Sequence, residues 1–188
     1  MKEIKVTIEG KTPLLLNAFS DEAQQSATSG TRLATVGNKG TPREQAEKKL
    51  YLLGGRAVIP QPNLFRCIMD AGKFFKAGKS KVTTQKTSLI PSCVELDEVA
   101  YPIEYDQPWE VDSRPVRIPS TGGRIVAHRP MFHDWRLSFV LGLDDSVMSE
   151  SLLRDIVDKA GSAVGLGDFR PDCKGPFGKF RVIRWDVG

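Results

Sequence analysis

The order in which strand-like and helix-like segments follow one another is the feature that most constrains the fold of this chain. Apolar and polar residues alternate in EIKVTIE at residues 3–9, in DWRLSFVLGLD at residues 134–144 and in GKFRVIRWDV at residues 178–187. Alternation with a period of two is typical of strands that bury one face. These segments are therefore predicted to be the first, third and last strands of one sheet.

Two amphipathic helices are predicted between these strands. LFRCIMDAGKFFK at residues 64–76 carries apolar residues at helical spacing, and SESLLRDIVDKAGSAVG at residues 149–165 opens with Ser149 as an N-cap. A second strand, interrupted by Pro91, is expected between residues 82 and 99. The order strand, helix, strand, strand, helix, strand predicts an α+β fold with a ferredoxin-like, RRM-like βαββαβ core.

Two segments are predicted to be additions to this core. Residues 19–55 combine a stretch with few apolar residues, expected to be a mobile loop, with a helix over residues 41–53 whose start Thr41-Pro42-Arg43-Glu44 has the capping-box pattern. A protruding hairpin is expected within residues 108–133. A chain of 188 residues is long enough for one domain. We therefore predict a single RRM-like domain over residues 1–188 with insertions at 19–55 and 108–133.

Composition argues against several functional classes. No apolar run approaches the roughly 20 residues that a membrane-spanning helix needs, and the N-terminus lacks the pattern of a secretory signal, so a cytoplasmic protein without a membrane role is expected. Cys67, Cys93 and Cys173 are widely separated and fit neither a disulfide framework nor a zinc site. No metal or other cofactor is expected.

Positive charge is concentrated in two segments, although the net charge is only +4. Between residues 113 and 137 the chain has both of its histidines and only one acid, Asp134, and the arginines there are Arg114, Arg117, Arg124, Arg129 and Arg136. Residues 72–87 contain no acid, and the lysines there are Lys73, Lys76, Lys79, Lys81 and Lys86. Arginine suits bidentate contacts to phosphate, so the first segment is the stronger candidate for binding a polyanion.

A glycine-rich loop precedes the last strand. The stretch GLGDFRPDCKGPFGKF contains Gly165, Gly167, Gly175 and Gly178, together with the cations Arg170 and Lys174. Glycines allow close approach of a phosphate, and their N–H groups can form an anion-binding nest. The alternative interpretation is a wrapped connection that covers one edge of the sheet.

Several of these motifs resemble a known family. The pattern GLGxxxxxxxGxFGxF after the second core helix resembles the C-terminal glycine-rich loop of the RAMP superfamily, CRISPR-associated proteins built on RRM-like domains. Three further stretches match in the same order: IEGKTPLLL, AVIPQPNLFRCIMDAGKFF and VRIPSTGGRIVAHRPMFHDWRLSFVLGL. The last of these resembles the basic hairpin and following strand of CRISPR backbone subunits.

The resemblance implies a function and a set of contacts. In those backbone subunits a hairpin called the thumb lies on the guide RNA, and adjacent subunits assemble along that RNA. Carried over by position, residues 114–129 would be the thumb, with phosphate contacts from Arg114, Arg117, Arg124 and Arg129. His128 of the same hairpin is a further candidate for nucleic-acid binding. The family usually has a basic residue in the first helix, and Arg66 is the nearest candidate here because Gln61-Pro62-Asn63 intervene.

The preferred hypothesis is therefore a protein that binds single-stranded nucleic acid, RNA rather than DNA, and assembles side by side on it. Cationic residues would follow the phosphates, and Trp109, Phe132 and Trp135 are candidates to stack on bases, with Trp135 favoured as a core residue. One alternative is a metal-independent endoribonuclease that uses His128 or His133 as general base. Another is an assembly protein that keeps the fold. Asp21 is a catalytic candidate that no motif marks, since some backbone subunits cleave RNA with an aspartate in the loop after the first strand.

Overall fold

The computed structural model describes residues 1–19, 28, 40–117 and 122–188. Asp21 lies outside the described residues, as does the predicted mobile loop apart from residues 19, 28 and 40. The strands are β1 (Lys2–Gly10), β2 (Leu14–Leu15), β3 (Leu52–Leu53), β4 (Arg56–Pro60), β5 (Lys76–Ala77), β6 (Ser80–Lys81), β7 (Val94–Leu96), β8 (Ala100–Pro102), β9 (Glu104–Tyr105), β10 (Glu110–Arg117), β11 (Arg124–Phe132), β12 (Trp135–Leu143) and β13 (Phe180–Val187). The α-helices are α1 (Pro42–Glu47), α2 (Gln61–Ala71), α3 (Ile90–Cys93) and α4 (Glu150–Lys159).

The main sheet has the order β13-β1-β12-β7 with antiparallel neighbours, and β9 also pairs with β12. Numbered along the core, this is the order 4-1-3-2 of a ferredoxin-like sheet. The predicted α+β, RRM-like fold class is therefore confirmed. The central pair is in register over eight residues, with Ile4 opposite Leu141 and Val6 opposite Phe139. These four side chains lie on one face, where they are buried.

One face of the main sheet packs against α2 and α4. Ile68 of α2 and Ile156 of α4 are fully buried in the same core cluster as the β1 and β12 side chains. Trp135 is also fully buried, and its indole N–H donates to the carbonyl of Thr12 at 2.9 Å. The opposite face carries polar side chains such as Lys5 and Ser138 and no aromatic residue on β1 or β12. Base stacking on the centre of that face is therefore not available.

A second antiparallel sheet, β10-β11-β2, carries the predicted hairpin. β10 and β11 pair continuously from Glu110 opposite Met131 to Arg117 opposite Arg124. At the base of the hairpin, β11 pairs with β2. The hairpin is therefore hydrogen-bonded to the segment that follows β1. Residues 118–121, between β10 and β11, lie outside the described residues.

The predicted helix over residues 41–53 is shorter than expected. Its capping box is present, since Thr41 Oγ1 accepts from the Glu44 N–H and the Glu44 carboxylate accepts from the Thr41 N–H. The helix ends at Glu47, however, and Leu52–Leu53 pair with β4 instead. Gly54 and Gly55 have φ of 56° and 77°. Two successive positive φ values suit a two-residue hairpin turn, which is why these glycines join two strands and do not cap a helix.

The predicted strand over residues 82–99 is also wrong in most of its length. Pro91 lies in the first turn of α3, where a missing N–H costs nothing. Only Val94–Leu96 pair with β12. The first core helix, predicted over residues 64–76, begins earlier at Gln61 because Pro62 also fits the first turn, and it gives way to a 3₁₀ turn at Gly72–Phe74.

Among the described residues, no helix is both long enough and apolar enough to cross a membrane.

Candidate nucleic-acid interface

The hairpin has two faces with different electrostatics, because successive strand residues point to opposite sides. Asp112, Arg114 and Arg129 share one face, which we call the ion-paired face. Arg117, Arg124 and His128 share the other, which we call the arginine face. The thumb residues suggested by the family resemblance are therefore divided between two environments.

Arg129 lies at the centre of the ion-paired face and is only 4% exposed. Its guanidinium donates to Asp112 Oδ2 at 2.9 Å and to Asp168 Oδ2 in the glycine-rich loop at 2.8 Å. Asp112 is buried as well and accepts from Arg114 Nε at 2.5 Å. Two carboxylates neutralise the Arg129 guanidinium and burial removes it from solvent. The prediction that Arg129 contacts phosphate is corrected here to a structural ion pair.

Arg114 is also engaged within the protein. Its guanidinium lies 4.8 Å from the ring centre of Phe177 in the glycine-rich loop, and its side chain is 47% exposed. The hairpin and the glycine-rich loop are therefore in direct contact through two arginines. This contact places both segments on the same side of the molecule.

The arginine face presents its cations to solvent. Arg117 and Arg124 are exposed and directly opposite one another, and neither has an acidic partner within ion-pair distance in the described part of the chain. His128 lies further down the same face, with its Nδ1 2.7 Å from Ser113 Oγ across the hairpin. His133 Nε2 lies 3.4 Å from Glu110 Oε2. Each histidine thus contacts a residue of β10.

The glycines of the glycine-rich loop allow backbone atoms to approach one another closely. A Cβ on Gly178 would lie 1.8 Å from the Leu166 carbonyl oxygen, on Gly175 1.7 Å from that of Phe169, and on Gly167 2.2 Å from that of Leu15. The N–H groups of Gly165, Gly175 and Gly178 donate to carbonyls of the chain itself, namely those of Ala160, Arg170 and Pro13. These N–H groups are thus not available to a phosphate. The anion-nest prediction is replaced by the alternative, a wrapped connection that only glycine can form.

The loop cations lie in two places. Arg170 donates to the Gly167 carbonyl at 3.1 Å and lines a cleft of about 240 Å³ between the loop and α2. Arg66 lines the same cleft and pairs with Asp70 at 2.8 Å. Lys174 is exposed in the left-handed region with φ of 61° and, within the residues described, has no acidic partner. The structure thus brings Arg66 and Arg170 together and leaves Lys174 at the surface.

The predicted lysine segment forms a small hairpin of its own, β5–β6, in which Lys76 lies opposite Lys81. Lys79 lies in its turn and Lys86 in the loop that follows, and none of these four exposed lysines has an acidic partner in the described ranges. Lys73 differs, because its ammonium contacts Asp172 of the glycine-rich loop at 2.7 Å. This second group of cations is therefore linked to the glycine-rich loop as well.

Two of the three stacking candidates are core residues. Phe132 and Trp135 are fully buried, so neither can receive a base. Trp109 is partly buried, and the Arg43 guanidinium lies 3.2 Å from its ring centre. Phe74, which no sequence motif marked, is 49% exposed beside the lysines. Its exposure could have been predicted, because Phe74 does not lie on the helical face formed by Leu64, Ile68 and Ala71.

No group of three or more His, Cys, Asp or Glu side chains arranged to hold a metal ion occurs among the described residues. Burial raises the pKa of the Cys67 thiol well above its ordinary value, and Cys67 Sγ donates to the Gly165 carbonyl at 3.2 Å. Cys67 is thus a protonated core residue where α2 meets the glycine-rich loop.

Neither a protein-family model nor a curated protein sequence matches this chain. Among solved structures, it matches a chain from the cryo-EM structure of the Type III-B Cmr-beta bound to cognate target RNA, with a TM-score of 0.53 and 9% sequence identity. The match covers 99% of this chain and 60% of the other chain, so this chain spans about three fifths of its neighbour's length. At this identity the match establishes a shared fold.

The ion pairs of Arg129 should contribute to the stability of the fold. Replacing Arg129 with alanine removes the buried partner of Asp112 and leaves this carboxylate paired only with the half-exposed Arg114, which should lower the free energy of unfolding by about 3–5 kcal/mol. Arg124→Ala, on the same strand but exposed and unpaired, should change it by less than about 0.5 kcal/mol. Urea unfolding followed by circular dichroism measures both. Equal effects in the two variants would show that the Arg129 pairs do not stabilise the fold.

Substitution of a closely packed glycine in the glycine-rich loop should destabilise the fold more than substitution of an exposed glycine with a similar φ. Gly178→Ala combines a positive φ of 68° with a Cβ 1.8 Å from a carbonyl oxygen, whereas Gly78→Ala has a φ of 62° and open space around it. Gly78→Ala should cost about 1–2 kcal/mol for the left-handed backbone alone. Gly178→Ala should cost a further 1–3 kcal/mol or so because neighbouring backbone must move. Thermal unfolding compares them, and similar losses would contradict the close-approach argument.

Proposed function

We propose that this chain binds single-stranded nucleic acid, RNA in preference to DNA, through backbone phosphates that contact the arginine face of the hairpin. The observation that carries the proposal is the pair Arg117 and Arg124, which are exposed, directly opposite each other and without acidic partners in the described part of the chain. Two adjacent unpaired guanidiniums repel one another in the free protein. A phosphate between them removes that repulsion and accepts bidentate hydrogen bonds.

The arrangement of the acids supports this reading. Asp112 of β10 and Asp168 of the glycine-rich loop are both paired with Arg129, and Glu110 at the hairpin base lies beside His133. Their charge is thereby compensated within the protein. The exposed end of the hairpin is left with a positive field that can attract a polyanion.

Further phosphate contacts are proposed for the exposed cations outside the hairpin. Lys76, Lys79, Lys81, Lys86 and Lys174 are exposed and lack acidic partners in the described ranges. Arg66, Lys73 and Arg170 already contact protein oxygens and would make weaker contributions. Single-stranded binders commonly combine such a charged track with few base-specific contacts.

The fold it shares with a chain from an RNA-bound Cmr-beta structure supports RNA as the ligand. Together with the RAMP-like motifs in the sequence, it leads us to propose a CRISPR-associated protein of the cytoplasm. We further propose that copies of the chain, or related subunits, assemble side by side along the RNA.

The proposal predicts a change in affinity and in salt dependence for a double charge reversal. Arg117→Glu with Arg124→Glu should weaken binding of a single-stranded RNA oligonucleotide at least tenfold and reduce the slope of log K against log salt by about 0.7 per lost phosphate contact. Fluorescence anisotropy between low and high salt measures both quantities. DNA of the same sequence tests the preference for RNA.

The matched control has the same charge change at exposed positions outside the hairpin, Lys5→Glu with Arg56→Glu. It should retain most of the affinity and the salt slope of the original chain. Equal losses in the two double variants would show that net charge, and not the hairpin, determines binding. Binding to RNA that is absent, or insensitive to salt, would contradict the proposed function itself.

A further inference from the structure

Phe74 is an exposed aromatic side chain in an otherwise cationic surface. It ends the 3₁₀ turn Gly72–Phe74 that follows α2, and it is 49% exposed. Phe75, the next residue, packs against the core. The Phe75 ring is therefore partly buried, whereas the Phe74 ring lies at the surface. A ring of this size that is half exposed contributes little to the stability of the free protein.

Two ammonium groups lie over this ring. Lys73 Nζ is 5.3 Å from the ring centre, and Lys159 Nζ, from the last turn of α4, is 5.1 Å from it. The four exposed lysines of the β5–β6 segment follow directly in sequence. The surface thus combines one planar apolar group with cations contributed by two helical elements and a hairpin.

This surface is connected to the hairpin by the glycine-rich loop. Asp172 in that loop pairs with Lys73, and Asp168, four residues earlier, pairs with Arg129 beneath the hairpin. Lys174, exposed in the same loop, follows Asp172 by two residues. The Phe74 surface and the hairpin are therefore joined by ion pairs to two aspartates of the same loop.

The combination favours one kind of ligand. A single-stranded nucleic acid offers flat bases and charged phosphates in regular succession, which match an exposed ring beside ammonium groups. An acidic polypeptide would satisfy the lysines and leave the ring in water. A base that stacks on Phe74 would displace a lysine from the ring, and that lysine would then be free to contact the adjacent phosphate.

We propose that Phe74 is a stacking platform for a base of single-stranded RNA. Lys159 contacts a flanking phosphate, and Lys73 contacts one more weakly because Asp172 already pairs with it. This inference rests on the proposed function and names a second contact on the same ligand. The hairpin contacts phosphates, whereas the Phe74 surface contacts a base.

The test compares two ligands of equal length, an oligouridine RNA and an abasic ribose-phosphate oligomer that has phosphates without bases. Phe74→Ala should weaken binding to the RNA by about five- to a hundredfold, the range found for loss of one stacked base. It should leave the affinity for the abasic oligomer unchanged, because the lysines remain. Phe74→Trp should restore RNA binding.

Val99→Ala is the matched control, since Val99 is 74% exposed and lies outside the basic segments. It should leave both affinities unchanged. Phe74→Ala with unchanged RNA affinity, or with equal losses on the two ligands, would overturn the stacking role while leaving the hairpin contact intact. Polyglutamate that binds with the same dependence on Phe74 would also overturn it, in favour of an acidic protein partner.

The two proposals fail in different ways. If RNA binding survives Phe74→Ala and is lost in the Arg117 and Arg124 double reversal, only the stacking role is wrong. If the unaltered chain binds neither RNA nor the abasic oligomer, both proposals are wrong.

Discussion

The architecture depends on one buried guanidinium. Arg129 lies between Asp112 of its own hairpin and Asp168 of the glycine-rich loop, and it links two segments that are 39 residues apart in the chain. Burying the charges of Arg129 and Asp112 is costly, and the Arg129 Nε is left without a hydrogen bond, the one such buried side-chain atom in the described ranges. What the pairs supply is a defined geometry: the hairpin can leave the core in only one orientation if both carboxylates are to be satisfied.

The glycine-rich loop is the other half of this arrangement. Its glycines allow the loop backbone to pack within van der Waals distance of β2 and of itself, which fixes Asp168 and Asp172 at defined positions. Asp168 forms an ion pair with Arg129 of the hairpin, and Asp172 forms one with Lys73, next to Phe74. The loop therefore acts as a rigid connection between two cationic surfaces, a role that needs backbone precision and no anion-binding nest.

The core could be predicted from sequence because its signals are local. Alternation in β1, β12 and β13 and helical spacing in α2 and α4 each lie within one segment, and their order was enough to give the sheet topology. Features that depend on a distant partner cannot be predicted in this way. Gly54-Gly55 is equally suitable as a helix end or a hairpin turn, and the pairing of β3 with β4 decides between them. Arg129 and Arg124 are likewise indistinguishable in sequence, and the positions of Asp112 and Asp168 make Arg129 a buried ion pair while Arg124 remains a surface cation.

The central claim is that RNA lies against the arginine face of the hairpin and the Phe74 surface while Arg129 stays paired inside. A crystal structure of the chain bound to a single-stranded RNA oligonucleotide tests this most directly. We expect phosphates within hydrogen-bond distance of Arg117 and Arg124, a base on Phe74, and Arg129 still bonded to Asp112 and Asp168. RNA lying across the polar face of the main sheet at Lys5 and Ser138, with the hairpin untouched, would contradict the account.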